Sequence, residues 1–137
     1  MTRTLSHPRI RALLAVLIGA AVFAPPAAAQ LQTINVDCAA GGTVQGALAA
    51  ITDRDGPNQI NVSGICNGGF NVNGFNRLTI QGGATISLTG NQNIFLSDSH
   101  SINLTNLLVN GGAGVTLAAS RATFTNVTVR NNNTNGN

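Results

Sequence analysis

The chain of 137 residues is 43% hydrophobic, and only 8% of its residues carry a charge. Its arginines and aspartates give a formal net charge of +3, but three of the seven arginines, Arg3, Arg9 and Arg11, lie in the N-terminal segment just before an apolar run. The residues that follow this apolar run contain four arginines and four aspartates, so their formal net charge is 4 − 4 = 0. A neutral surface without a basic patch does not attract phosphate groups, and we expect no nucleic-acid binding.

The first residues have the features of a secretory signal peptide. An apolar run from Ala12 to Ala24 follows the basic start, and Ala27 and Ala29 form a small-residue cleavage site. The run is shorter than the roughly 20 residues that a membrane-spanning helix needs. We therefore expect residues 1–29 to be removed after Ala29. The remainder is expected to be secreted, extracellular or at the cell surface, with no membrane span.

The two cysteines, Cys38 and Cys66, both lie in the part that is expected to be exported. An oxidising compartment favours a disulfide between them, and a small domain gains stability from such a link. Two buried free thiols are the alternative. Their spacing matches no C-x-x-C redox or zinc motif.

Residues 30–58 predict one strand followed by one amphipathic helix. Apolar residues around Ile34 and Val36 indicate the strand. The period then changes, and Thr43 is suited to cap a helix that Gly56-Pro57 would end. The apolar stripe of this helix has the spacing i, i+3, i+4 and i+7 and consists of Val44, Ala47, Leu48 and Ile51.

Residues 59–130 alternate with period two, and they repeat. Segments that begin at Ile60, Leu78, Ile102 and Ala122 each start with two alternating apolar residues, at intervals of 18, 24 and 20 residues. Such intervals indicate a solenoid of about four coils, with a β-sandwich as the competing fold. A residue that tolerates positive φ stands four positions after each start, which predicts coil bends at Gly64, Gly82, Asn106 and Asn126.

The segments "INVDCAAGGTVQGALAAI", "INVSGICNGG" and "LTIQGGATIS" together resemble the amino-terminal region of secreted right-handed parallel β-helix proteins of the pectate-lyase-like superfamily. The resemblance covers roughly residues 34–130 and implies that the amphipathic helix caps the first coil. It also implies that Asn106 and Asn126 stack as an asparagine ladder. The predicted fold is therefore all-β, a right-handed parallel β-helix (solenoid) with an N-terminal amphipathic capping helix.

The sequence offers few groups for catalysis. It contains no glutamate, so an acid–base pair would have to come from the aspartates. Asp53 and Asp55 suit a solvated turn better than a calcium site, which needs six to eight oxygen ligands. Asp98 and His100 are too close in sequence to form a catalytic relay with a neighbouring serine. We expect no catalytic residue, no metal site and no cofactor in this chain.

Three arginines are the candidates for contact with a glycan. Arg77, Arg121 and Arg130 follow one another at intervals similar to the coil length. If they line one face, they can bind the carboxylate of an acidic sugar through paired hydrogen bonds. The alternative is that they only keep the surface soluble.

The end of the chain predicts an open edge. No helix follows the last strand, and residues 131–137 form a polar tail. Unpaired strand edges promote association, so we expect this edge to stack on further coils of a longer protein or on another chain. The function expected for such a longer protein is polysaccharide binding or degradation. The alternative is a structural or adhesive surface β-helix of the passenger type.

Overall fold

The computed structural model describes residues 29–132, so the predicted signal peptide up to residue 28 and the last residues of the polar tail lie outside the described part. The described residues contain twelve strands and one short helix. The helix is α1 (Val44–Ala50), and the strands are β1 (Gln32–Asp37), β2 (Pro57–Ser63), β3 (Ile65–Asn67), β4 (Phe70–Asn73), β5 (Arg77–Gln81), β6 (Thr85–Leu88), β7 (Asn93–Ser97), β8 (Ile102–Thr105), β9 (Leu108–Gly111), β10 (Gly114–Ala118), β11 (Ala122–Thr125) and β12 (Thr128–Arg130).

The strands form three sheets, because the chain contributes one strand to each sheet in the three coils β2–β4, β5–β7 and β8–β10, while β1 precedes them and β11 and β12 follow. Sheet A has the order β1-β2-β5-β8-β11, sheet B the order β3-β6-β9-β12 and sheet C the order β4-β7-β10. Every neighbouring pair is parallel. The predicted all-β parallel solenoid is therefore confirmed, and the antiparallel sandwich is excluded. Its right-handed winding stays a prediction from the resemblance.

The helix packs on the start of the solenoid through its apolar stripe. Thr43 accepts a hydrogen bond from Gly46 N–H at 3.0 Å, as a helix N-cap does. The apolar side chains of Val44, Leu48 and Ile51 are buried in the core, with Ala47 beside them. The helix ends at Ala50, earlier than the expected end at Gly56-Pro57. The reason is local: Asp53 Oδ1 accepts hydrogen bonds from the N–H groups of Asp55 and Gly56, which closes a turn instead.

The register corrects one detail of the repeat alignment. In sequence the first segment begins at Ile60 opposite Leu78, but in the sheet Leu78 pairs with Asn58. The offset of two residues preserves which side chains point inward, because strand side chains alternate. Asn58 therefore occupies an inward position and is only 3% exposed. Its amide is satisfied by the carbonyl oxygens of Asp53 and Gly56 at 2.7 and 2.9 Å.

The predicted bends all have positive φ, but they do not all stack. Gly82, Asn106 and Asn126 occupy equivalent positions directly after sheet A, with φ of 142°, 54° and 52°. Gly64, with φ of 80°, comes two positions later because of the offset in the first coil. The two asparagines form a ladder, since Asn126 Nδ2 donates to Asn106 Oδ1 at 3.1 Å.

The core consists of aliphatic layers that repeat from coil to coil. Ile60, Ile80 and Leu104 stack directly in sheet A, and each is 0% exposed. The next member of this column, Phe124, is 43% exposed. Leu117 in sheet C and Val129 in sheet B are likewise exposed, although the residues of the preceding coil with which they pair, Leu96 and Val109, are fully buried. The apolar layer of the last coil is therefore open on one side within the described residues.

The disulfide joins the cap region to the first coil. Cys38 follows β1 directly and Cys66 lies in β3, and the two are bonded with a Cα–Cα distance of 5.0 Å. This confirms the predicted pair. The bond closes a stretch of 28 residues that contains the capping helix and β2.

Candidate functional site

A cleft in the described part of the chain lies where the capping helix meets the outer face of sheet C. It encloses about 580 Å³ and is open to solvent. We call it the cap groove and define it by five side chains that line it beside Gly69 and the buried Phe70. These are Gln45 of α1, Asn71 of β4, Gln92 just before β7, and Asn93 and Phe95 of β7.

In three of the side-chain amides, one of the two polar atoms is hydrogen bonded within the protein and the other is not. Gln45 Oε1 accepts a hydrogen bond from Asn71 N–H at 2.8 Å, which also satisfies one backbone N–H of the edge strand β4. Gln92 Oε1 accepts from the N–H and hydroxyl of Thr89 at 3.0 and 3.2 Å. Asn93 Nδ2 donates to the hydroxyl of Thr116 at 3.2 Å.

These anchors restrict the positions of further polar atoms that line the groove. Nε2 of Gln45 and Nε2 of Gln92 are donors, Oδ1 of Asn93 is an acceptor, and Asn71 offers both. None of these atoms is hydrogen bonded to another residue that the structure describes. Side chains that are already ordered lose little conformational entropy when a ligand binds.

Phe95 supplies the aromatic surface of the groove. It lies in an outward column of sheet C, paired with Asn71 in the coil before and Thr116 in the coil after. Its neighbours in the strand, Ile94 and Leu96, point inward and are fully buried. Phe95 itself is half-buried, so part of its side chain remains exposed in the groove.

A second, smaller cleft continues the groove along the strand. It encloses about 190 Å³, shares Gln45 and Asn71 with the cap groove, and ends at Arg54. Arg54 donates to the carbonyl oxygen of Asn73 at 3.2 Å and lies 5.2 Å from the ring centre of Phe75. None of the residues that line the main cleft is charged, so Arg54 supplies a positive charge only at the far end.

The structure does not bring the three candidate arginines onto one face. Arg77 and Arg121 lie at the same corner, at the start of sheet A, separated by one coil. Arg77 points back to the preceding coil and donates to the carbonyl oxygen of Asp55 at 3.1 and 3.2 Å. Arg130 lies at the end of β12 in sheet B, where it pairs with Asn110.

Asp53 and Asp55 form hydrogen bonds in and around the turn that follows α1, where the sequence predicted that the helix would continue. Besides the turn made by Asp53, a side-chain oxygen of Asp55 accepts a hydrogen bond from the amide of Asn76. These contacts connect the cap to the second coil. No group of three His, Cys, Asp or Glu residues suited to a metal ion occurs within residues 29–132.

The segment around His100 is arranged as a corner. Ser99 is fully buried, and its hydroxyl donates to the carbonyl oxygen of Ser97 and accepts from Phe75 N–H. Ser120 repeats part of this arrangement one coil later, because it donates to Ala118 and accepts from Ser99 N–H. The hydroxyl of Ser99 thus forms its hydrogen bonds with backbone groups and not with His100 or Asp98.

The cap groove was not predicted from the sequence, although one signal was present. In "NIFLS" the aromatic ring of Phe95 stands between two inward residues, so the alternation places it on the surface. Single apolar residues are common on protein surfaces, so this pattern alone did not mark a binding site. The contribution of Gln45 had no comparable signal, because it depends on how the helix is placed.

Comparison with known proteins adds no assignment: no family model, curated protein or solved structure matches this chain. No helix among the described residues has the length and apolar character needed to cross a membrane.

Proposed function

We propose that this chain is an extracellular binding module that holds a neutral polysaccharide in the cap groove. The single observation that carries the proposal is the combination of anchored amides with the half-buried ring of Phe95 in one open cleft. Amide groups hydrogen bond to sugar hydroxyls as donors and acceptors. The aromatic face packs against the apolar face of a sugar ring.

The shape of the site supports a polymer rather than a small molecule. The groove is open to solvent, and a second cleft that shares Gln45 and Asn71 with it is also lined by Asn73 and Arg54. The strand residues from Asn71 to Asn73 span about 7 Å. The side chains of Gln45 and Arg54 extend the lined surface beyond them, which allows several contacts along a linear glycan. An enclosed pocket would instead bury most of a small ligand.

The extracellular location rests on the leader and on the disulfide. The apolar run and the cleavage site at Ala29 are features of an exported chain. The Cys38–Cys66 bond is favoured in an oxidising compartment. Fractionation of expressing cells tests this part of the proposal: the product is expected outside the cytoplasm and shortened by 29 residues.

The binding proposal is tested with the exported protein and soluble polysaccharides of glucose, xylose and mannose, by affinity electrophoresis. Phe95→Ala should weaken binding about tenfold, because roughly 1 kcal/mol or more of ring packing is lost. The control is Phe124→Ala, which removes a 43% exposed ring in the last coil, away from the cap groove. Binding of none of the polymers, or equal effects of both substitutions, would contradict the proposal.

Acidic polysaccharide is the comparison case. If the three candidate arginines form the site, polygalacturonate should bind more tightly than the neutral polymers, and Arg77→Gln should weaken it. The wide separation of Arg130 from the other two favours the neutral groove.

A second candidate function, a surface scaffold, is favoured by the exposed apolar layer of the last coil. Leu117, Phe124 and Val129 are the positions that a further β-helical coil would cover. In this function the open end stacks on another coil. Light scattering as a function of concentration tests it, and replacing Leu117 and Val129 by serine should abolish any association.

A further inference from the structure

The outer face of sheet A carries a regular array of uncharged polar side chains. The register of its five strands aligns two outward columns, and every member is Thr, Asn or Gln. We call them the sheet A array. One column consists of Thr33, Gln59, Thr79, Asn103 and Thr123, and the other of Asn35, Asn61, Gln81, Thr105 and Thr125.

The spacing within the array follows from the strand geometry. Neighbouring strands of a sheet lie about 4.8 Å apart, and every second residue of a strand repeats after about 6.6 Å. The residues between the two columns, such as Ile60, Ile80 and Leu104, are fully buried. The array members therefore point outward, and they form a lattice with the same two repeats from one coil to the next.

The amides of the array hold one another in fixed orientations. Asn61 Nδ2 donates to Asn35 Oδ1 at 2.8 Å. Asn61 Oδ1 accepts from Gln59 Nε2 at 2.9 Å and from Gln81 Nε2 at 3.1 Å. Threonine side chains are also stiff, because branching at Cβ restricts χ1. Four amides of the array, those of Asn35, Gln59, Asn61 and Gln81, are thus ordered before any ligand arrives.

The chemistry of the array fits water better than a polymer. Hydroxyls and amides hydrogen bond to water, and threonine methyl groups restrict the orientation of the water beside them. No member carries a charge that would hold ions, and the nearest cation, Arg77, donates to Asp55 instead. No member is aromatic, so a sugar ring finds no stacking surface like that of Phe95 in the cap groove.

We propose that the sheet A array adsorbs to the surface of ice. Ice is an uncharged lattice of hydrogen-bonded water, and a rigid uncharged array with constant repeats makes many weak contacts with it at once. Contacts that are weak singly add up when they are linked and act together. This site is separate from the cap groove, which lies on sheet C.

The experiment uses the full exported protein and measures inhibition of ice recrystallisation and thermal hysteresis. The test variant combines Thr79→Lys and Thr105→Lys, which place two charges in the centre of the array. The matched control is Thr85→Lys, a threonine in the same coil as Thr79 and of similar exposure, but on sheet B. Circular dichroism melts establish that all variants are folded.

The proposal expects activity in the wild type and in Thr85→Lys, and at least a tenfold higher protein concentration for the same effect in the double variant. Phe95→Ala should keep full activity on ice. No effect of the wild type on ice growth, or equal activity of the double variant, overturns the proposal. Binding to crystalline cellulose or chitin that the double variant loses, without any effect on ice, assigns the array to a solid polysaccharide and also overturns it.

Discussion

Asn126 donates its side-chain amide to Oδ1 of Asn106 at 3.1 Å, and both residues hold the backbone at φ near +50°. One residue type therefore serves two needs at this bend. Asparagine tolerates the left-handed conformation better than other residues with a side chain. Its amide also forms the hydrogen bond that links one coil to the next.

Substitution at Asn106 should separate these two roles. Asn106→Ala loses the ladder bond and forces alanine into positive φ, for a total of about 2 kcal/mol of unfolding free energy. Asn106→Gly loses the bond but accepts the conformation, and should cost about 1 kcal/mol. Urea unfolding midpoints of the two variants measure the difference. Equal losses would show that the backbone conformation contributes nothing.

Gly82 should tolerate no side chain, because the preceding coil is too close. A Cβ atom there would lie 1.9 Å from the carbonyl oxygen of Val62, and φ is 142°. Gly82→Ala should therefore cost more than about 2 kcal/mol of stability. Gly83 is the control, since its Cβ would meet no atom within 4 Å, and Gly83→Ala should change stability by less than about 0.5 kcal/mol. Thermal melts compare the two.

In the core column of Ile60, Ile80, Leu104 and Phe124, substitution by alanine should cost more stability in the middle than at the end. Leu104 is fully buried, and Leu104→Ala should cost about 3 kcal/mol. Phe124 is the next residue of the column but is 43% exposed, and Phe124→Ala should cost about 1 kcal/mol or less. Chemical denaturation measures both. A larger loss at Phe124 would indicate that the open end is covered in solution.

The disulfide should contribute strongly to stability. It closes a stretch of 28 residues, and the loop-entropy relation gives about 3–4 kcal/mol for a loop of this length. Replacing both Cys38 and Cys66 by serine should lower the unfolding free energy by roughly that amount. The melt of the wild type with and without reductant is an independent check. Indistinguishable melts would contradict the prediction.

The sequence predicted the features that depend on local period. Alternation in "INLTNLLV" predicted a stacked strand, and the helical spacing of Val44, Leu48 and Ile51 predicted the cap. The first coil was misaligned because Asn58 is polar and does not look like a core residue. Its burial depends on the carbonyl groups of the turn at Asp53 and Gly56, which only the fold brings within reach.

The cap groove and the sheet A array, unlike the core, could not be predicted from the local period of the sequence. The cap groove joins residues from α1, β4 and the start of β7, so their proximity depends on the packing of the cap. The sheet A array depends on the register between coils, and a shift of one residue would turn its side chains inward. Neither arrangement follows from the composition of a single segment.

The central claim is that the cap groove binds a neutral glycan, and backbone amide chemical shifts test it most directly. The labelled protein is titrated with short oligosaccharides of glucose, xylose and mannose. The account predicts that one of them shifts the signals of Gln45, Asn71, Gln92 and Phe95 with a common saturation curve. Signals that stay constant at these residues with every oligosaccharide, or that shift only on sheet B, would contradict it.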